Sequence, residues 1–169
     1  MFEETPLAGL MLFTPVKHYD ARGFFTESYN RNTWLTAGMG HDFVQDNHSF
    51  SKDIGTIRGL HFQTEPYAQD KLVSVLQGRI LDIAVDLRHS SQTFGQHWAG
   101  ELSRENGKQF LIPKGFAHGF VTLEANTEVF YKVTQFYSPA HDAGILWNDP
   151  DLGIDWRVDP AHAILSDKD

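Results

Sequence analysis

The chain has 169 residues, a formal net charge of −8, 41% hydrophobic and 13% aromatic residues, and no cysteine. That length suits a single domain, 1–169, able to bury a substantial core, and the acidic balance disfavours a general nucleic-acid binder, which carries a basic face. There is no thiol nucleophile or disulfide framework; no apolar run approaches the roughly 18 residues of a membrane span; and the acidic start Met1-Phe-Glu-Glu-Thr5 does not read as a secretory signal.

In chain order, Met11–Tyr19 reads as a strand, Asp20-Ala21-Arg22-Gly23 as a turn, and Phe24–Tyr29 as its hairpin partner. Asn32–Met39 reads as a short helix capped by Asn32. Strand-like runs follow at Phe43–Asn47, Ile57–Gln63, Lys71–Gln77, Arg79–Leu87, His97–Leu102, Gln109–Ile112, His118–Leu123, Glu128–Gln135 and Gly144–Trp147. Many strands at short spacing with turn residues between them predict an all-β sandwich or barrel, with helix confined to short pieces near the ends. No internal repeat or linker interrupts the pattern. In Arg79–Leu87, Leu81, Ile83, Val85 and Leu87 share one face, and Ile80, Asp82, Ala84 and Asp86 the other. The second face either meets solvent or lines a cavity, where Asp82 would pair with His118 or Lys71.

The run Asp46–Leu72 concentrates polar chemistry in what otherwise reads as strand and turn. Within it, His61 and Gln63 of Arg58-Gly-Leu-His61-Phe-Gln63 share a strand face by the period of two. Strict alternation puts Arg58 on the opposite face; a bulge at Gly59 would turn both inward. Taken alone, a strand histidine is more often a hydrogen-bonded structural residue than a functional one. A second stretch changes that balance. In Gln109–Glu124, Pro113 and Gly115 make a turn, and a strand then sets His118, Phe120 and Thr122 on one face.

A Pro-x-Gly-x-x-His turn before a strand resembles the second half of the cupin jelly-roll signal. Metal-binding cupins supply two histidines one residue apart, plus a glutamate, in the first half. Here that place reads His61-Phe-Gln63, and an amide is a poor metal donor. The ligand set is incomplete, which argues against a bound metal.

Taken together, the segments resemble the dTDP-4-dehydrorhamnose 3,5-epimerase family. The likeness runs through Arg22-Gly-Phe-Phe25-x-Glu27-Ser, Gln45-Asp-Asn47-His, Arg58-Gly-Leu-His61-Phe-Gln63 and Gln69-Asp-Lys71-Leu. It continues through Asp82-Ile-Ala-Val-Asp86, Thr93-Phe-Gly95, Ile112-Pro-Lys-Gly-Phe-Ala-His118-Gly-Phe, Tyr131-Lys132, Tyr137-Ser-Pro139, Ile145-Leu-Trp-Asn-Asp149 and Leu165-Ser-Asp-Lys-Asp169. Each piece is weak alone; in this order, over nearly the whole chain, the combination is specific.

The resemblance implies a cupin-type double-stranded β-helix (jelly roll) that is cofactor-free, cytoplasmic and homodimeric. It implies inversion of C3 and C5 of a dTDP-4-keto-6-deoxy-hexose by proton abstraction next to the ketone. In that pattern His61 is the base, Asp169 its carboxylate partner, Tyr131 the acid on the opposite face, and Lys71 the charge that stabilises the C4 oxygen. Arg22, Phe25 and Glu27 would reach across the dimer. Gln45, Asn47 and Arg58 would hold the diphosphate and sugar, with His118 also in the site and Asp82 behind it. Tyr137 would stack on the base, with Phe136 a competing candidate. The rival readings are a metal-dependent cupin enzyme, a non-catalytic nucleotide-sugar binding module, and a relative that epimerises one carbon or isomerises the ketone. A binding module would need the arginines but no acid–base set.

Overall fold

Strands with one apolar face need a second layer to cover it, and this chain supplies that layer from itself. The computed structural model describes residues 1–169. Its strands are β1 (Phe2–Glu4), β2 (Met11–Phe13), β3 (His18–Asp20), β4 (Gly23–Phe25), β5 (Gln45–Ser51), β6 (Ile57–Gln63) and β7 (Lys71–Gln77). After these come β8 (Arg79–Asp86), β9 (His97–Ser103), β10 (Gln109–Ile112), β11 (Phe116–Thr122), β12 (Thr127–Val133) and β13 (Asp142–Gly144). One sheet has the order β1-β2-β10-β7-β12-β5, the other β13-β6-β11-β8-β9, and β3 and β4 form a separate hairpin. The two large sheets make the expected jelly roll.

The core lies between the sheets. Val73, Val75, Phe110, Ile112 and Val129 from the first meet Ile80, Ala84, Phe116 and Phe120 from the second. Each Val, Ile or Phe among them, fully buried, is worth about 1.5–3 kcal/mol. Both faces of β8 are buried, so the alternation in Arg79–Leu87 separates two cores rather than core from solvent. Ile80 and Ala84 point between the sheets, while Leu81, Ile83 and Val85 pack outward under Trp147 and Trp156 of the C-terminal segment. Asp82 shares the inter-sheet face with Ile80 and Ala84 and is fully buried.

Several boundaries differ from the sequence pattern for local reasons. The run Met11–Tyr19 divides into β2 and β3, because Pro15 has no N–H to give a ladder. Its hairpin partner ends at Phe25, short of Tyr29. The helix α1 (Arg31–Thr36) starts earlier than expected. Its cap is Asn30, not Asn32: Asn30 Oδ1 accepts from the backbone N–H of Asn32 at 3.0 Å and of Thr33 at 3.4 Å. The helix lies between β4 and β5 rather than at a chain end, and its Trp34 is buried against Phe13, Leu72 and Leu111 on the outside of the first sheet. The other helical pieces are single 3₁₀ turns at Pro139–His141 and Pro160–His162. The last strand occupies Asp142–Gly144 instead of Gly144–Trp147, paired with β6.

Candidate active site

The register of β6 against β11 decides which side chains enter the space between the sheets. His61 pairs with His118, yet Arg58 pairs with Phe120, so three steps along β6 match two along β11. The extra residue is a bulge at Gly59 and Leu60. It sends Leu60 outward with Ile57 to the C-terminal core and turns both Arg58 and His61 into the cavity. Of the two arrangements open in the sequence, this is the inward one. Gly59 makes it possible: it has φ +140°, and a Cβ there would sit 2.4 Å from Gly119 Cα and 2.8 Å from the His118 carbonyl oxygen.

The cavity is about 350 Å³. The second sheet contributes His61, Arg58 and His118 to its wall, and the facing sheet contributes Lys71, Tyr131 and Asn47. The C-terminal residues Ser166–Asp169 fold over one side. Asp169 is thereby pressed beneath β6, its side chain only 2% exposed. Its Oδ1 accepts the Gly59 backbone N–H at 3.0 Å, and its Oδ2 accepts from Ser166 Oγ at 2.6 Å and Ser166 N at 3.0 Å. His61 Nε2 lies 3.0 Å from the same Oδ1, a close contact that lacks the alignment of a hydrogen bond.

The electrostatics follow from burial. Desolvation works to raise the Asp169 carboxyl, but the hydrogen bonds from Ser166 and Gly59 outweigh it and hold the group below the usual carboxylate range. Burial lowers the His61 imidazole below its ordinary value; Asp169 opposes this and Lys71 reinforces it. Burial also lowers the Lys71 ammonium, to about 8, against the attraction of Asp142 and Asp82. Lys71 Nζ donates to the His61 carbonyl at 3.4 Å. Tyr131 is raised by burial, with Arg58 pulling the other way. Burial therefore favours the uncharged imidazole and the protonated phenol, and it brings the lysine down to about 8.

His118 Nε2 meets Asp82 Oδ1 at 2.6 Å, both side chains buried, so of the two partners open to Asp82 it is His118 that is paired directly. Arg58 is steadied by Ser51 Oγ at 3.2 Å and the Phe50 carbonyl at 3.0 Å. Gln45 donates to Asn47 Oδ1 at 2.9 Å. Tyr137 lines the cavity and donates its hydroxyl to Asp142 Oδ2 at 3.1 Å; Phe136 is exposed and lies outside it. Arg22, Phe25 and Glu27 are not in the cavity of their own chain. They stand exposed on and beside the β3–β4 hairpin, where Arg22 pairs with Asp20 at 2.6 Å.

Gln63 faces the cavity but its amide is committed to backbone groups on both sides, and no three His, Cys, Asp or Glu side chains converge as a metal centre requires. The residue-by-residue reading missed Ser49, Asp142 and Lys168, which also line the site. Lys168 and Asp142 form an ion pair that ties the C-terminal residues to β13. The alternation of β5 would have located Ser49, whose buried hydroxyl has no partner. No sequence signal joins Asp142 to Lys168, which meet only through the fold.

Such a cavity is built to move protons across a bound molecule, one titratable group on each wall and a cation beside them. On a jelly-roll frame this arrangement fits an isomerase that works by acid–base chemistry. Residues 4–169 match the family model described as dTDP-4-dehydrorhamnose 3,5-epimerase. The dTDP-4-dehydrorhamnose 3,5-epimerase of Pseudomonas aeruginosa is 52% identical over 163 residues, covering 95% of this chain and 87% of that protein. The crystal structure of the Bacillus anthracis dTDP-4-dehydrorhamnose 3,5-epimerase with TDP and PPi bound superposes with a TM-score of 0.96 at 53% identity, covering 99% of this chain and 95% of that one. The Legionella pneumophila dTDP-6-deoxy-D-glucose-3,5-epimerase, in complex with dTDP-4-keto-L-rhamnose, superposes with a TM-score of 0.94 at 44% identity over 99% and 88% of the two chains. The chain belongs to the dTDP-4-dehydrorhamnose 3,5-epimerase family, and the fold and enzyme class expected from the resemblance hold.

Proposed function

We propose that the family's reaction, epimerisation at C3 and C5 of a dTDP-4-keto-6-deoxy-hexose, is carried in this chain by His61 and Tyr131 from opposite walls. The observation that supports this assignment most strongly is their placement: His61 on β6 backed by Asp169, and Tyr131 on β12 of the facing sheet. His61 takes the proton from the carbon next to the ketone. The electron pair of the broken C–H bond moves into an enolate whose negative charge rests on the C4 oxygen. Lys71, charged below about pH 8, stabilises that oxygen. Tyr131 then delivers its proton to the other face of the same carbon, inverting it. Solvent removes the proton from His61 and restores Tyr131 before the second centre reacts.

Asp169 supports the charged form of the imidazole. Arg58 and Asn47 face the diphosphate and sugar, Tyr137 stacks on the nucleobase, and Arg22, Phe25 and Glu27 complete the cavity of a second copy in a homodimer. His118, backed by Asp82, contacts the sugar. The chemistry asks for no cofactor, because the negative charge rests on the enolate oxygen and the Lys71 ammonium stabilises it. No helix is long and apolar enough to cross a membrane. A nucleotide-sugar substrate supports a cytoplasmic location.

The test is incubation with dTDP-4-keto-6-deoxyglucose in D₂O, with NMR at C3 and C5. Deuterium should enter both carbons with inversion. Failure of either carbon to exchange would overturn the double epimerisation.

A further inference from the structure

The segment after β12 has almost no secondary structure of its own, yet its backbone is held at four consecutive residues by glutamine side chains. Gln69 Nε2 donates to the Gln135 carbonyl at 2.7 Å. Gln63 Nε2 donates to the Phe136 carbonyl at 3.2 Å. The Tyr137 N–H donates to Gln45 Oε1 at 3.1 Å, and the Ser138 N–H donates to Gln63 Oε1 at 2.7 Å. Gln63 Nε2 also donates to the Tyr67 carbonyl at 2.7 Å, joining the loop after β6 to the same assembly.

The three glutamines come from separate places, β5, the end of β6 and the approach to β7. The match of chemistry to role is close for Gln63. It is buried, and it faces two carbonyls and one N–H, which an amide with two donors and an acceptor satisfies in one orientation only. An imidazole at this position has one polar atom per edge and could not serve all three. The position that carries a ligand histidine in metal cupins is therefore used here to fix a loop.

We infer that Gln45, Gln63 and Gln69 form a clamp that presets the backbone of residues 135–138 so that Tyr137 stands at the cavity mouth as a ready platform for the nucleobase. The inference rests on the reading that Tyr137 stacks on that base. Preorganisation matters here because Tyr137 is about half exposed and lies beyond the end of β12. Without the clamp, substrate binding would have to order the loop. The glutamines are positioning residues and do not touch the reacting carbons.

The clamp predicts a selective loss. Calorimetric titration with dTDP and, separately, with inorganic pyrophosphate would be run on the parent enzyme, Gln63→Met, Gln69→Met, Tyr137→Ala and the Gln63→Met/Tyr137→Ala double variant. Gln63→Met should weaken dTDP on the order of 10-fold. Gln69→Met, which removes one tether, should weaken it less, and both should leave pyrophosphate binding in place. In turnover, KM should rise more than kcat falls. The double variant should bind dTDP no more weakly than Tyr137→Ala alone, since the clamp acts through that ring.

Equal losses for dTDP and pyrophosphate would mean general loosening and would overturn the clamp, as would fully additive losses in the double variant. If Gln63→Met does not fold, the more exposed Gln69→Met carries the same comparison, paired with Tyr137→Ala. A weakened Tyr137→Ala beside silent glutamine variants would remove the clamp alone. A silent Tyr137→Ala would remove the base platform and the clamp with it.

Discussion

At the scale of single residues, the contrast between His61 and Asp169 separates doing chemistry from supporting it. His61→Ala removes the proposed base for both carbons, so exchange at C3 and C5 should fall together, by roughly 10²–10⁴ in rate. Asp169→Ala leaves the imidazole but strips away its carboxylate and an acceptor for the Gly59 N–H, so its loss should be smaller than that of His61→Ala. Solvent-deuterium exchange measures both. Near-normal exchange in His61→Ala would move the base elsewhere, with His118 the first alternative. Lys71 gives the alkaline side of the pH profile. Burial brings its ammonium down to about 8, so charge on the lysine is present below that pH and lost above it. Since His61 is depressed and already neutral near pH 7, kcat/KM should be flat through neutrality and decline near pH 8. Lys71→Arg keeps its charge to far higher pH and should shift the decline toward the raised Tyr131 range. A decline unmoved in Lys71→Arg would assign it to another group.

At the scale of elements, the bulge in β6 connects fold to chemistry. The strand is anchored outward by Ile57 and Leu60, and only the extra residue lets Arg58 and His61 face the same way. Gly59→Ala would place a methyl group against Gly119 and the His118 carbonyl while forcing φ +140° on an L-residue, at a cost of about 3 kcal/mol or more. The urea midpoint should drop, and turnover should drop further than stability alone explains, because His61 swings with the backbone. A variant with the parent midpoint and full turnover would show that the bulge is dispensable. How much of this was legible depended on the reach of the signal. Strands such as Ile57–Gln63, Lys71–Gln77 and Gln109–Ile112 were readable at their true bounds, because short β-prone runs between turn residues are a local signal. The burial of both faces of β8 was not, since Trp147 and Trp156 arrive from far downstream in the sequence to cover what alternation alone assigns to core or solvent. The pairing of His61 with Asp169 came from family resemblance, and its geometry depends on a tail that folds back over the cavity. The glutamine tethers were invisible, because an amide bonded to distant backbone carries no local periodicity.

At the scale of the whole molecule, large apolar side chains stand exposed both on the first sheet and on the β3–β4 hairpin. Phe50 and Leu76 project outward from the first sheet, 54% and 47% exposed, and Tyr19 and Phe25 on the β3–β4 hairpin are 72% and 69% exposed. Exposed apolar side chains that lie close together mark an interaction surface. The hairpin that carries Tyr19 and Phe25 also carries Arg22, whose side chain is 90% exposed and whose carboxylate partner, Asp20, is two residues away on the same turn. An arginine in that position adds little to its own chain's stability, since so exposed a pair is screened by solvent. It is free to serve a neighbour. If the hairpin completes a second copy's cavity, Arg22→Ala should fold normally and stay dimeric while binding nucleotide-sugar more weakly, because the lost contact is to substrate and the apolar surface remains. Light scattering across a concentration series, read beside KM for the nucleotide-sugar, tests both parts. A monomer with full activity would show that each cavity is complete by itself, and the exposed phenylalanines would then need another explanation.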